Sequence, residues 1–478
     1  MKRTVILRAD GSERTGLGHL YRMVALAGML APDFDCHLAY RTGYPSVWSG
    51  NEDIQAAHAL VEPSGMEAEE LSKLALRLSP STTAKDVIIV LDGYQYDLTY
   101  QALLKAEGFG LVFVDDIQHT SFVADLVINH APSARLNNYS LAEYTNTAFG
   151  LRFALLRRVF LASAEQAPAP GMAPVFVCLG GADPDNLSVG VLRLLEGKMA
   201  GRPVNLVVGS AYLHKKALAE FLAGSSLTVI VHQGLSAKKM SALMWSSAFG
   251  ITSPSTISLE YLATGKQLYL RQTADNQNDI MAALLNEGMA FPLEELPATA
   301  AYPLNPAVGK RYDGNQAVRI RKLFIGLGLN IRWAYYSDCR LLFRWATDPA
   351  VRLQSFNSED IHWEEHKAWF VRQLVHPDRR FYVCEDSDGP VGLVRFSVEG
   401  EVALLGYSLC TRVRGKGYGV SMVHFATERL RAEVSAVRRV EAYVKKENMA
   451  SRITLDRLGY TEFPTEDYPD ALKFMLDV

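Results

Sequence analysis

The sequence predicts an α/β protein: two Rossmann-like domains followed by a smaller mixed α/β domain. Three observations carry that expectation. Short, continuously apolar runs alternate with helical patterns through the first two thirds of the chain, as strands covered on both faces do in a doubly wound parallel sheet. The alternation restarts after Ala167-Pro168-Ala169-Pro170-Gly171, a Pro/Ala-rich stretch that reads as a linker. The last third changes pattern, with three consecutive strand-like runs ahead of a Gly-rich loop and a long helix. The expected domains are residues 1–165, 172–325 and 328–478.

Length and composition agree with this division. A chain of 478 residues suits about three domains. It is 49% hydrophobic and 21% charged, ordinary for a globular protein. A net charge of −3 with no basic block gives no electrostatic case for nucleic acid or an anionic membrane. Cys36, Cys178, Cys339, Cys384 and Cys410 are scattered without CxxC spacing. That argues against a disulfide framework or a cysteine zinc site and points to reducing cytoplasm. The chain enters a strand at once, with no signal-peptide core, and no apolar run approaches the roughly 20 residues that span a bilayer. No obligate protein partner is evident.

In the first domain, strand-like runs fall at Thr4 to Leu7, Cys36 to Tyr40, Val87 to Leu91, Leu111 to Val114 and Leu126 to Ile128. Such sheets bind ligands at the carboxyl ends of their strands. The first strand leads through Thr15-Gly16-Leu17-Gly18-His19 into a helix with Met23, Leu26 and Leu30 at helical spacing. A Gly-rich strand-to-helix turn lets backbone N–H groups approach a phosphate. His19, directly after the second glycine, would face that ligand, and an imidazole of pKa roughly 6.5 suits general-base work. Polar clusters stand at other strand ends: Arg8 with Asp10, Asp92 with Tyr94 and Asp97, Asp115-Asp116, and Asn129-His130. Helix capping is the competing role for these carboxylates. Asp115-Asp116 could hold a cation, but no set of His, Asp and Glu has convincing metal spacing, and none is expected.

In the middle domain, strands are expected at Val175 to Leu179, Leu206 to Val208, Thr228 to Ile230, Gly250 to Ser253 and Gln267 to Leu270. Gly180-Gly181 opens a second Gly-rich turn, and Ser255-Thr256-Ile257-Ser258 leads into a helix carrying Glu260. Both turns can offer backbone N–H to a diphosphate. Glu260, read as lying on the first helical turn, can accept two hydrogen bonds from a ribose diol, or can serve as a capping-box acid.

Residues 1 to about 325 resemble the PseG-type nucleotide-sugar hydrolases of pseudaminic acid biosynthesis. The matching pieces are Arg8-Ala9-Asp10, Gly16-Leu17-Gly18-His19 with Arg22, Asp92 with Tyr94, and Val114-Asp115-Asp116. Phe153-Ala154-Leu155-Leu156-Arg157, Gly180 to Asn186, Glu260 and Asn276-Gln277 follow in the same order. The resemblance implies the two-domain GT-B arrangement shared with the glucosaminyltransferase that makes lipid II. It implies that His19 activates water and that Glu260 holds the uridine ribose of UDP. It places a UDP-sugar among Gly16, Gly18, Arg22, Asp92, Tyr94, Gly180, Gly181, Ser255, Thr256, Ser258, Glu260, Asn276 and Gln277. One departure stands out: the family's Gly-Gly before the glutamate is replaced by Ser253-Pro254, and the segment is about one residue longer. The roles of Ser255, Thr256 and Ser258 are therefore open.

In the last domain, strands are expected at Ile331 to Ala334, Phe381 to Cys384, Gly392 to Phe396 and Ala403 to Leu409. Helical segments fall at Leu341 to Trp345 and Trp363 to Phe370. Arg414-Gly415-Lys416-Gly417-Tyr418-Gly419 opens the helix Val420 to Leu430, and its small residues let successive N–H groups wrap a pyrophosphate. This region resembles the GNAT acyltransferases, including the PseH-like N-acetyltransferases, through that loop and through Asn448-Met449-Ala450-Ser451 with Leu458-Gly459-Tyr460. The resemblance implies acetyl-CoA as co-substrate, bound by Leu409, Arg414, Gly415, Lys416, Gly417, Tyr418, Gly419 and Asn448. The strand end at Ser408-Leu409 would offer N–H to the thioester carbonyl. Many members carry a tyrosine acid seven residues after the asparagine; here that place is Leu455, leaving Tyr407, Tyr443 and Tyr460 as candidates. His362, Glu364, Glu365 and His366 line either an acceptor site or a solvated helix face.

Together the resemblances imply a bifunctional cytoplasmic enzyme. Its last domain would acetylate the 4-amino group of a UDP-linked amino-dideoxy sugar. Its first two would hydrolyse UDP-2,4-diacetamido-2,4,6-trideoxy-β-L-altropyranose, inverting the anomeric carbon by C–O cleavage. Three other readings stay open: a GT-B glycosyltransferase with a fused acyltransferase, a hydrolase for another stereoisomer, and a UDP-sugar binding module without turnover.

Overall fold

The computed structural model describes residues 2–10, 18–41, 56–60, 67–78, 83–117, 121–161, 172–180, 183–199, 201–209, 212–297, 304–309, 314–357 and 359–478. Gly16, Gly181 and the 167–171 linker lie outside the described residues. The chain divides into two compact units. The first comprises residues 1–122, 128–140 and 148–317; the second comprises 318–478 with the short segments 123–127 and 141–147.

The first unit holds two parallel sheets. In one, Arg3–Ala9 is central, flanked by Phe34–Arg41 and Val87–Asp92, with Ala56–Leu60 and Gly110–Val114 outside them. Leu126–Asn129 and Asn146–Phe149 complete the sheet. In the other, Val175–Cys178 is central, flanked by Val204–Val208 and Phe249–Thr252. Val229–Gln233 lies on one edge, and Leu268–Leu270 with Phe291–Pro292 on the other. Counted within each sheet, both begin 3-2-1-4-5, the strand order of doubly wound nucleotide-binding sheets, whose ligand crevice opens where the order reverses. Alternate side chains explain the burial on both faces: Val175, Val177 and Leu179 enter one core, while Phe176 and Cys178 enter the other. His19 rides on the helix Gly18–Leu30, whose Leu20, Met23, Val24, Leu26, Ala27 and Leu30 are buried.

The second unit is built on a seven-stranded sheet in the order Asn330–Trp333, Arg379–Asp386, Gly389–Glu399, Val402–Leu409, Arg439–Lys445, Ala471–Asp477, Thr461–Pro464. Its neighbours are antiparallel except one pair. Val402–Leu409 and Arg439–Lys445 run parallel and pair only from Val402↔Arg439 to Leu404↔Glu441. Beyond Leu404 the two strands part, and the main chain of Leu405 to Leu409 does not pair with Arg439–Lys445. The helix Tyr418–Glu433 packs closely on the sheet, where a Cβ at Gly392 would lie 2.7 Å from the Met422 sulfur. Ala334, Cys339, Leu342, Phe370, Phe381 and Val383 form a further core. All five cysteines are unpaired. Among the described residues, no helix is long and apolar enough to cross a membrane.

Candidate active sites

In the first unit, two strand ends and one helix bring four ionisable side chains together. The His19 Nδ1 lies 2.6 Å from Asp92 Oδ1. Arg22, one turn along the same helix, donates Nε to Asp92 Oδ2 at 3.0 Å and Nη2 to Oδ1 at 2.7 Å. Its Nη1 donates to Asp116 Oδ2 at 2.7 Å. Arg22 Nη2 is also 2.7 Å from His19 Nδ1. One ring nitrogen cannot donate to a carboxylate and accept from a guanidinium at once. We assign the Nδ1 proton to Asp92, whose carboxylate is fully buried and already oriented by two guanidinium nitrogens. That tautomer leaves Nε2 unprotonated, with no hydrogen-bond partner among the described residues. The Tyr94 ring stands edge-on to the imidazole at 5.1 Å, and its hydroxyl bonds Asp116.

Electrostatics favour a charged Arg22 and an ionised Asp116. Burial alone would lower the Arg22 pKa, but Asp92 and Asp116 outweigh it and keep the guanidinium above its usual range. Burial would raise Asp116, yet Arg22 pulls it below the carboxylate range. Burial, with Asp116, pushes the Tyr94 phenol up to about 12. His130, at the end of a neighbouring strand, is held down to about 4 by burial and by Arg22. It accepts from Leu155 N at 3.2 Å as a neutral imidazole.

The other polar pairs have separate partners. Asp97 caps the helix Leu98–Ala106 through Tyr100 N. Asp115 takes the Tyr139 hydroxyl and Asn129 Nδ2, while Asp116 takes Arg22, so the two adjacent carboxylates do not converge on a cation. Among the described residues no group of three or more His, Cys, Asp or Glu is arranged to hold a metal. Arg8 is buried in ion pairs with Asp10 and Glu67, which also engage Arg41.

The middle-domain residues are placed less simply. The helix starts at Thr256, so Glu260 falls in its second turn rather than its first. Its Oε1 accepts from Arg157 Nε at 3.1 Å and Nη2 at 2.8 Å, which displaces the capping-box role. Burial raises the Glu260 carboxyl above its usual range and Arg157 opposes that. The second oxygen has no partner among the described residues. Arg157 in turn lies over the Tyr21 ring at 4.7 Å, two residues past His19. Gly180 has φ +99, and Asp183 occupies the following helix end by accepting from Leu187 N and Ser188 N. Ser255 is the N-cap residue, with its hydroxyl 3.1 Å from that of Ser253; Thr256 begins the helix. The Ser258 hydroxyl turns back onto Ser255 O at 2.7 Å, and Gln277 is held by Thr273. Asn276 lies in the same 3-10 turn as Gln277.

In the second unit, Gly415 and Gly417 take φ of +76 and +92, a backbone region that favours glycine. Gly417 is the N-cap of the long helix, which begins at Tyr418 with Gly419 next. The backbone N–H groups of Gly415 and Gly417 have no partner among the described residues, while Lys416 N closes a turn onto Val413 O. Arg414 is a staple: Nε donates to Leu409 O at 2.9 Å, and Nη2 donates to Asp348 at 3.0 Å. Tyr418 reaches Asp386 at 3.3 Å. Asn448 caps its helix by accepting from Ser451 N at 3.1 Å. His366 is buried among Phe343, Trp369 and Phe370, whereas His362, Glu364 and Glu365 are exposed.

Sequence reasoning gave no site role to Arg157, Asp348 or Ser451, and read Asp116 as half of a cation pair or a helix cap rather than as the partner of Arg22. Each acts through a partner distant in the chain or on another element, so no local spacing marks it.

The chain is similar to several known proteins. Over 384 residues it is 23% identical to Uncharacterized protein MJ1062 of Methanocaldococcus jannaschii, covering 77% of this chain and 78% of that protein. A solved structure of spermidine N-acetyltransferase from Vibrio cholerae, in complex with CoA and spermine, is similar over 31% of this chain and 95% of that one, at 16% identity and TM-score 0.29. The acetyltransferase of Salmonella typhimurium that modifies the N-terminal serine of ribosomal protein L7/L12 is similar over 32% and 97%, at 17% identity and TM-score 0.29. Residues 329–461 match the acetyltransferase (GNAT) domain family, and the C-terminal region of this chain is a GNAT acetyltransferase domain with acetyl-CoA as its co-substrate.

Proposed function

We propose that the chain is a bifunctional cytoplasmic enzyme of pseudaminic acid biosynthesis. Its GNAT domain acetylates the 4-amino group of a UDP-linked amino-dideoxy sugar. Its N-terminal region, in a GT-B arrangement, hydrolyses UDP-2,4-diacetamido-2,4,6-trideoxy-β-L-altropyranose. The observation that carries the hydrolase reading is the His19–Asp92 pair at the carboxyl ends of a doubly wound sheet, with Nε2 open. In that reading Nε2 takes a proton from water, and the water oxygen bonds to the anomeric carbon. The bond from that carbon to the diphosphate oxygen breaks, and UDP leaves as an anion without protonation. Asp92 stabilises the imidazolium that forms. The unpaired Glu260 oxygen suits a ribose hydroxyl. In the GNAT domain, the unpartnered Gly415 and Gly417 N–H groups suit the pyrophosphate of acetyl-CoA.

The test is incubation of the purified protein with the UDP-4-amino sugar and acetyl-CoA, following both products by mass. The expected sequence is a gain of one acetyl group, then release of UDP and free diacetamido sugar with oxygen from labelled water on the sugar. Label in UDP would show P–O cleavage and refute the mechanism. No UDP release without an added acceptor would refute hydrolysis in favour of glycosyl transfer.

A further inference from the structure

Transfer of an acetyl group expels coenzyme A as a thiolate, and a thiol of pKa about 8.5 needs a proton near neutrality. The position that the resemblance assigns to a tyrosine acid holds Leu455, which is fully buried. Hydroxyl groups reach the same helix, Met449–Arg457, by another route. Tyr407 comes from the neighbouring strand and donates to Ser451 Oγ at 3.1 Å, with Thr454 also in hydrogen-bond contact. Tyr407 belongs to the part of its strand past Leu404, where pairing with Arg439–Lys445 has ended. Leu409, two residues on and on the same face, touches the glycine loop. A Cβ at Gly419 would lie 3.4 Å from Thr454 Oγ1 and 3.6 Å from Leu409 Cδ1. Phenol, serine and glycine loop therefore lie together beside the point where the two strands part. Of the other two candidates, Tyr443 is committed to Asp467 at 2.6 Å, and Tyr460 follows the helix, outside the parted strands.

We infer that Tyr407 and Ser451 form a two-hydroxyl relay that protonates the departing thiolate, with Tyr407 as the proton source behind Ser451. The inference rests on the acetyl-transfer activity of the GNAT domain. The amine nitrogen forms the new N–C bond and the C–S bond breaks, leaving its electron pair on sulfur. Sulfur takes the Ser451 proton and Ser451 takes the Tyr407 proton. The surplus proton of the amine leaves to water, and water returns one to the phenolate. Burial holds the Tyr407 phenol above its ordinary range, so the proton is present throughout neutral pH.

Tyr407→Phe removes only the terminal hydroxyl, and Ser451→Ala breaks the relay at its other member. With acetyl-CoA and the UDP-4-amino sugar, each variant should lose about 30- to 100-fold in kcat. The KM for acetyl-CoA should stay within about twofold and melting should be unchanged. A Tyr407→Phe kcat within about threefold of wild type overturns the relay. So does a loss of rate matched by an equal rise in KM, which marks a packing role. Should the wild type leave that amine unacetylated, the acceptor reading fails by itself. The relay is then scored on hydrolysis of acetyl-CoA, which expels the same thiolate.

Discussion

Replacing Asp92 with asparagine keeps the shape of the side chain and removes its charge. In the wild type, Oδ1 accepts from both His19 Nδ1 and Arg22 Nη2, whereas Oδ2 accepts from Arg22 Nε alone. The amide oxygen of an asparagine would take the Oδ1 place, where two donors converge. The imidazole tautomer is then preserved, but the imidazolium formed on proton abstraction loses its counter-charge. Two charges about 4 Å apart at an effective dielectric of about 20 interact by about 4 kcal/mol. That corresponds to a fall of about 10³ in kcat for UDP release. The amide NH2 would meet Arg22 Nε, leaving a buried donor unsatisfied at about 1–3 kcal/mol and lowering the melting temperature by about 5 °C. Single-turnover hydrolysis of the UDP-diacetamido sugar and thermal melting measure the two effects separately. A variant that melts early yet hydrolyses within threefold of wild type would refute the role given to Asp92 and leave it a structural ion pair.

Three further outcomes are expected. His130, near pKa 4 when folded and about 6.5 when unfolded, binds its proton more tightly in the unfolded chain. Stability is therefore complete above about pH 6.5 and falls by about 3 kcal/mol towards pH 4; His130→Gln should flatten that part of the melting profile, and identical profiles would contradict it. Arg157→Ala leaves Glu260 buried without its cation, at about 3–5 kcal/mol. Adding Glu260→Gln should restore part of the loss in denaturant titration, whereas simple additivity would deny the coupling. Gly417→Ala forces a side chain into φ +92 against Lys322, 2.9 Å from the new Cβ. About 1–2 kcal/mol of strain should weaken acetyl-CoA binding roughly 5- to 30-fold by calorimetry while UDP-sugar hydrolysis is untouched.

The central strands were legible because burial on both faces writes itself as unbroken apolar runs, such as Val87 to Leu91 and Val175 to Leu179. Several edge strands were not, although Val229–Gln233 and Asn330–Trp333 were. Ala56–Leu60 is mostly alanine, Phe291–Pro292 is two residues long, and Thr461–Pro464 is exposed throughout. At the sites, glycines and lone ionisable residues stood out by type. Their partners did not: Arg157 and Glu260 lie 103 residues apart, and Arg414 and Asp348 lie 66 apart. Such pairs are made by the tertiary fold and leave no mark on neighbouring residues. The same holds for Glu260, whose place in the second turn depends on where the helix begins.

The early parting of Val402–Leu409 from Arg439–Lys445 has a thermal consequence. Main-chain groups that a longer ladder would have tied to Arg439–Lys445 are released from that strand, and if acetyl-CoA docks in the proposed place it would take over part of the ladder's work. Heating the protein with increasing acetyl-CoA should therefore delay melting of the C-terminal unit selectively, with a shift that grows as the logarithm of ligand concentration.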